Sequence, residues 1–146
     1  MVHLIAGAAT LLCTLFTGAA IYINLVEHPA RLSVGTEAAA RQWAPSYRRA
    51  TVMQATLAVS AAAAGVVTWL HGEGIAWLWG GFVMLAIVPF TLLVIRPTND
   101  RLLAQGRDLA SAETRQLLER WGWLHGVRSA LGLVASVIYL YALAHL

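Results

Sequence analysis

The residues able to do chemistry in this chain are few, and they recur at helical spacing. Cys13, Thr17, Asn24, Glu27 and Arg31 follow one another at steps of four, seven, three and four residues, which places them on one helical stripe with His28 beside Glu27. Tyr47, Thr51 and Gln54 share a second face at i, i+4 and i+7. Trp121, His125, Arg128 and Gly132 share a third at i, i+4, i+7 and i+11, and Arg96-Pro97-Thr98-Asn99 closes an apolar run. Brought together, a histidine, a carboxylate and an arginine allow acid–base chemistry. Glu27, His28, His125 and Asn99 could instead ligate iron, zinc or copper, since imidazole and carboxylate suit those ions. A simpler reading has Glu27 neutralising Arg31 or Arg128, and the arginines at helix ends reaching for lipid headgroups.

The elements that must position these residues follow from composition. The chain has 146 residues, 59% of them hydrophobic and only 12% charged, against ~25% charged in soluble domains. Its mean hydropathy is +0.66. Four apolar runs, at about 4–26, 51–70, 75–95 and 121–144, approach or exceed the ~20 residues a helix needs to cross a bilayer. Lipid offers no partner to a free amide, so each run must be helical. The fold class expected is therefore all-α: one integral membrane four-helix bundle over residues 1–146. No arginine precedes the first run, which is longer than a signal-peptide core, so it is expected to be a retained span.

Charge gives the orientation. All ten basic residues are arginine, and nine of them lie in the connections 27–50 and 96–120. The Gly72-Glu73-Gly74 turn has none. By the positive-inside rule the two arginine-rich connections are cytoplasmic and both termini external, in a membrane expected to be a bacterial inner (plasma) membrane. The single Cys13 rules out an intrachain disulfide framework. In the second connection the arginines alternate with acidic residues, which argues against a nucleic-acid partner. The midplane is apolar, which argues against a transporter.

This topology brings all four polar groups to one depth, near the cytoplasmic end. Thr36–Trp43 and Thr114–Trp121 have helix-forming composition within the connections, and the latter leads into the fourth span. Pro29, Pro45 and Pro97 are expected to break the chain near the inner face, and Pro89 to kink the third span. Small residues over Ser60–Gly65 suggest a close helix approach. Trp69, Trp77 and Trp79 suit an external aromatic belt, whereas Trp43, Trp121 and Trp123 lie at the cytoplasmic end, as belt residues or as the lining of an aromatic cavity.

The ordered spacings Gly18-x3-Tyr22-x-Asn24-x2-Glu27-x-Pro29-Ala30-Arg31, Trp43-x-Pro45-x-Tyr47-x-Arg49 with Gln54, Ile95-x-Pro97-Thr98-Asn99 and Trp121-x3-His125-x2-Arg128 cover nearly the whole chain. Together they resemble the anthrone oxygenase-like (DUF1772) family of small four-span membrane proteins. The resemblance implies an oxygenase that oxidises a hydrophobic, anthrone-like aromatic with O2 at the cytoplasmic mouth of the bundle, with no cofactor expected. An anthrone methylene is acidic enough for a base to form a stabilised carbanion, which can reduce O2 directly. On this reading His125 is the base, Arg128 or Asn24 the oxyanion partner, and Glu27 the group that orients His125. Trp121 and Trp43 hold the rings, and Tyr22, Gln54 and Asn99 complete the substrate site.

Two other readings stand beside it. One is a metal-binding membrane oxidoreductase using Glu27, His28 and His125, although Glu27 and His28 are adjacent and point about 100° apart on a helix. The other is an accessory subunit of a membrane complex, with Trp79-Gly80-Gly81 packing against a partner. The expected partners are the lipid bilayer, a hydrophobic small molecule and O2, and a homo-oligomer is compatible with all three readings.

Overall fold

Apolar runs set the number of helices, and packing sets their length. In the computed structural model, which describes residues 1–146, the chain forms four helices: α1 (Val2–Ser33), α2 (Thr36–Leu70), α3 (Ala76–Leu102) and α4 (Ala112–Ala144). Each is long and apolar enough to cross a membrane. The helices run up-down-up-down and close a ring in which each packs against its two neighbours. Outward faces carry Leu4, Leu15, Val59, Phe82, Leu93 and Leu140, all exposed. Exposed leucine and phenylalanine along every helix is the surface a lipid-facing bundle needs.

The helices outrun the bilayer. At 1.5 Å per residue α2 is about 50 Å long, beyond the ~30 Å of a hydrocarbon core. The connections 27–50 and 96–120 are thus largely helical continuations. Gly35, at φ +100°, turns α1 into α2, and Gly72, at φ +92°, turns α2 toward α3. Ser111 caps α4 by accepting the Thr114 amide at 3.2 Å.

The prolines do not break the chain as the sequence suggests. Pro45 lies inside α2, on its exposed side, one turn after the exposed Arg41. Pro29 and Pro97 are each preceded by a single π-helical turn, Ile23–Glu27 in α1 and Thr91–Ile95 in α3. In these turns the His28 amide reaches the Ile23 carbonyl and the Arg96 amide reaches Thr91, five residues back. The widened turn lets the helix continue past a residue that cannot donate.

Two apolar cores are stacked along the bundle. The larger holds Cys13, Phe16, Ala58, Ala61, Ala62, Trp77, Met84 and Tyr139, at the end away from the arginines. Here the helices touch closely, as the Ser60–Gly65 stretch predicts. A Cβ on Gly65 would lie 2.0 Å from the Tyr139 hydroxyl, and one on Gly80 2.3 Å from its ring. Two expectations are corrected by this packing. Trp77 is 1% exposed and packs on Tyr139 rather than joining a belt, and Gly80 and Gly81 face the bundle's own interior rather than a partner. The smaller core, at the arginine-rich end, holds Ile23, Trp43, Ile95, Leu118 and Trp121.

Candidate active site

Between the two cores lies a polar layer supplied by three helices. Asn24 sits in the π-turn of α1. Its amide nitrogen donates to the Gly122 carbonyl at 2.9 Å, which fixes the amide so that Oδ1 faces His125. The imidazole Nδ1 lies 2.7 Å from that oxygen, and Ser129 donates to the same atom at 2.6 Å. Because Oδ1 can only accept, Nδ1 carries the proton. The lone pair is then on Nε2, which has no hydrogen bond to the protein and belongs to a ring lining an enclosed cavity. A buried histidine held in one tautomer with its basic nitrogen free is a proton acceptor in waiting.

The same cavity is lined by Tyr47, Gln54, Trp121 and Arg128. Arg128 donates to Gln54 Oε1 at 2.8 Å, and its guanidinium stands 5.7 Å over the Phe16 ring. It takes part in none of the ion pairs, which join Arg31 to Glu27, Arg41 to Glu37, Arg96 to Asp100, Arg101 and Arg107 to Glu113, and Arg115 to Glu119. Arg128 Nε and Gln54 Nε2 are buried and unpartnered. A half-buried cation without a carboxylate is costly unless something anionic comes to it.

The other expected residues separate into two groups. Glu27 is not beside His125. Its carboxylate is held by Arg31, by the Ser46 hydroxyl at 3.0 Å and by Gln42 at 3.4 Å, and Arg31 also donates to Gln42 at 2.5 Å. Asn24 takes the orienting place, so the amide is a partner of the histidine rather than a free oxyanion donor. Asn99 donates to the Tyr47 hydroxyl at 3.1 Å and keeps a buried, unpartnered Oδ1. Trp43 is buried, stacked on Tyr47 at 4.9 Å and edge-on to Trp121 at 5.7 Å. These two tryptophans pack each other, leaving only Trp121 on the cavity wall.

His28 has a different neighbourhood. Its Nε2 lies 2.9 Å from the Leu118 carbonyl, and its ring sits against Gly122, where a Cβ would come within 2.7 Å. Glu27, His28 and His125 are therefore each engaged elsewhere, and no three or more His, Cys, Asp or Glu side chains converge. Ser129, Ser46 and Gln42 were not singled out in the sequence. Ser129 falls four residues after His125, a spacing that puts both on one face.

Two open grooves flank the layer. One, of about 480 Å³, runs between α1 and α2 and is lined by Tyr22, Pro45, Met53 and Arg49 among others. It shares Ile23, Ser46 and Ala50 with the enclosed cavity. The second, of about 700 Å³ between α1 and α4, meets the layer only at Asn24 and Ser129.

Fold and site together define a four-span membrane protein with a buried histidine held by a half-buried asparagine, and an arginine without a carboxylate partner, at one end. The chain belongs to the anthrone oxygenase family, whose profile matches residues 43–138. It is 29% identical to an anthrone oxygenase of Claviceps purpurea over 94% of this chain and 85% of that protein. With one from Aspergillus novofumigatus it shares 34% identity over 70% of this chain and 69% of the relative. With one from Pestalotiopsis fici the identity is 32% over 81% and 95%. These relatives are fungal. No solved structure matches the chain.

Proposed function

We propose that the protein is a membrane oxygenase that oxidises a hydrophobic, anthrone-like aromatic with O2, using His125 as the base and no bound cofactor. The observation carrying this reading is the tautomer lock: Asn24 Oδ1 at 2.7 Å from Nδ1 leaves Nε2 as the free acceptor of a ring that lines the cavity. A base with a free lone pair, in a ring lining the same space as an unneutralised arginine, suits removal of a proton from an acidic C–H. Family membership supports the oxygenase class.

The groove between α1 and α2 is the berth for the ring system. Its volume lies in the range of small-molecule pockets. Ile23, Ser46 and Ala50 line both the groove and the cavity that His125 lines, and the reacting carbon meets the histidine across that shared border. The wider groove is disfavoured because it touches the histidine's partners on the Nδ1 side and not the free nitrogen. Tyr22 and Met53 offer the apolar wall, and the substrate arrives from the lipid. The arginine-rich connections support a cytoplasmic position for this end of the bundle, with both termini outside.

The test is O2 uptake by detergent-purified protein with an anthrone. His125→Gln keeps the volume of the ring and lacks its basic nitrogen. It should lower turnover by about 10³-fold while the thermal unfolding midpoint stays near wild type. Retained activity would sink the role of His125.

A further inference from the structure

The enclosed cavity is too small for any aromatic ring. Its volume is about 20 Å³, enough for one water-sized or diatomic molecule, since a single water needs ≳10–15 Å³. Its walls nonetheless hold Arg128, a half-buried cation without a carboxylate partner. The guanidinium Nε is unpaired, and Gln54, 1% exposed, keeps Nε2 unpaired beside it. Gln54 Oε1 is already taken by Arg128 Nη2, so the amide cannot turn to hide its donor without losing that bond. Arg128 and Gln54 both line this diatomic-sized space, and one net positive charge at its wall specifies a small monoanion.

We propose that this chamber binds dioxygen and, as the reaction proceeds, its reduced anions, with Arg128 and Gln54 taking the charge. The proposal rests on the oxygenase reading above and deepens it by separating the two reactants: the rings stay in the α1–α2 groove, and O2 occupies the chamber against His125. The electron count closes without another reagent. His125 Nε2 takes one methylene proton, and the carbanion passes one electron to O2. The resulting carbon radical and superoxide combine into a C–O bond, leaving a peroxide anion. That anion takes the proton back from the imidazolium. Loss of the second C–H proton with cleavage of the O–O bond leaves a C=O group and hydroxide, which the released proton turns into water. The net change is CH2 + O2 → C=O + H2O. Superoxide and the terminal peroxide oxygen are the small anions of this sequence, and the chamber accommodates them where it does not accommodate an enolate.

The decisive variant is Gln54→Glu, which gives Arg128 the carboxylate it lacks and keeps the shape of the side chain. Two measurements on the purified full chain decide the matter. In the first, chloride replaces gluconate at constant ionic strength and the unfolding midpoint is followed. Wild type should be stabilised saturably by chloride, a compact monoanion that needs no turnover. Gln54→Glu should be folded and give a flat titration. A wild-type midpoint indifferent to chloride, or a variant that responds like wild type, overturns the site. In the second, O2 and anthrone are varied separately. Gln54→Glu should raise KM for O2 by about tenfold, the worth of a charge-assisted hydrogen bond, and leave KM for the anthrone within about twofold. The opposite split, with KM for the anthrone raised and that for O2 unchanged, overturns the proposal by placing the substrate in the chamber. Wild-type protein that consumes no O2 with any anthrone overturns the oxygenase reading and with it the dioxygen assignment, and the chloride titration then decides the anion site on its own.

Discussion

At the arginine-poor end of the bundle, Tyr139 lies across Gly65 and Gly80 and donates to the Ala61 carbonyl at 3.0 Å. At the arginine-rich end, His28, Trp43, Gln54, Asn99 and Arg128 each keep a buried polar atom without a protein partner. No such atom occurs around Tyr139. Both ends are built from the same four helices, so the contrast is one of side chains and not of scaffold. Where glycine lets backbones meet, dispersion and satisfied hydroxyls, Tyr139 on Ala61 and Thr17 with Ser136, hold the bundle. Where Asn24, Gln54, His125 and Arg128 interrupt the packing, polar capacity is left for something that is not protein. One end therefore supplies rigidity, and the other carries the cost of function.

The contrast can be broken from either side. The largest stability effect should come from Gly80→Leu, whose side chain would be driven into the Tyr139 ring. Overpacking of this kind should cost about 3 kcal/mol or more, read as a lowered unfolding midpoint in detergent, with activity lost only as folded protein is lost. Asn24 should behave in the opposite sense. Asn24→Leu frees the imidazole to take the other tautomer and should lower kcat by about 10²-fold with KM for the aromatic nearly unchanged, while the three hydrogen bonds it removes lower the unfolding midpoint without abolishing the fold. Asn24→Asp, which still accepts from Nδ1, should recover most of that loss. If both variants are equally inactive, the amide does not act through the histidine. The smallest effect is expected for Tyr139→Phe. It removes one hydrogen bond from a packed ring and should cost about 1 kcal/mol with kcat unaltered.

Much of this division was legible in the sequence. Four apolar runs gave the four helices, and the spacing of Trp121, His125 and Arg128 gave one face of α4. Asn24 and Gln54 were placed at the same depth by topology alone. The orientation of His125 was not legible, because the expected stripe counts residues at α-helical pitch. Asn24 and Glu27 fall in a turn closed over five residues, where each step rotates less. Residues three apart then diverge: Asn24 faces His125 on α4, and Glu27 faces Ser46 and Gln42 on α2. The prolines misled for a related reason. A proline forbids one amide donor, but whether the helix ends there depends on the packing around it, which a linear reading does not contain. Residue type alone offers belt or cavity for Trp43 and belt for Trp77, whereas tertiary contacts with Trp121 and Tyr139 claim both.

The paired π-turns have a consequence for how the chain can change over time. A π-turn is a helix carrying one more residue than its ladder requires, so it is the place where length, rather than identity, holds information. Removal of one residue between 23 and 27 would restore an ordinary helix, and because four α-helical steps turn about as far as five π-helical ones, everything before it would stay close to its present register. Cys13 and Thr17 would still face Ser136, which they meet at 3.4 Å and 2.9 Å. What would go is the widened turn itself, and with it the seat of Asn24 against His125. The surplus residue therefore serves the reactive end and leaves the rigid end untouched. In related chains a single-residue gap in this stretch should spare the fold and cost the histidine its partner.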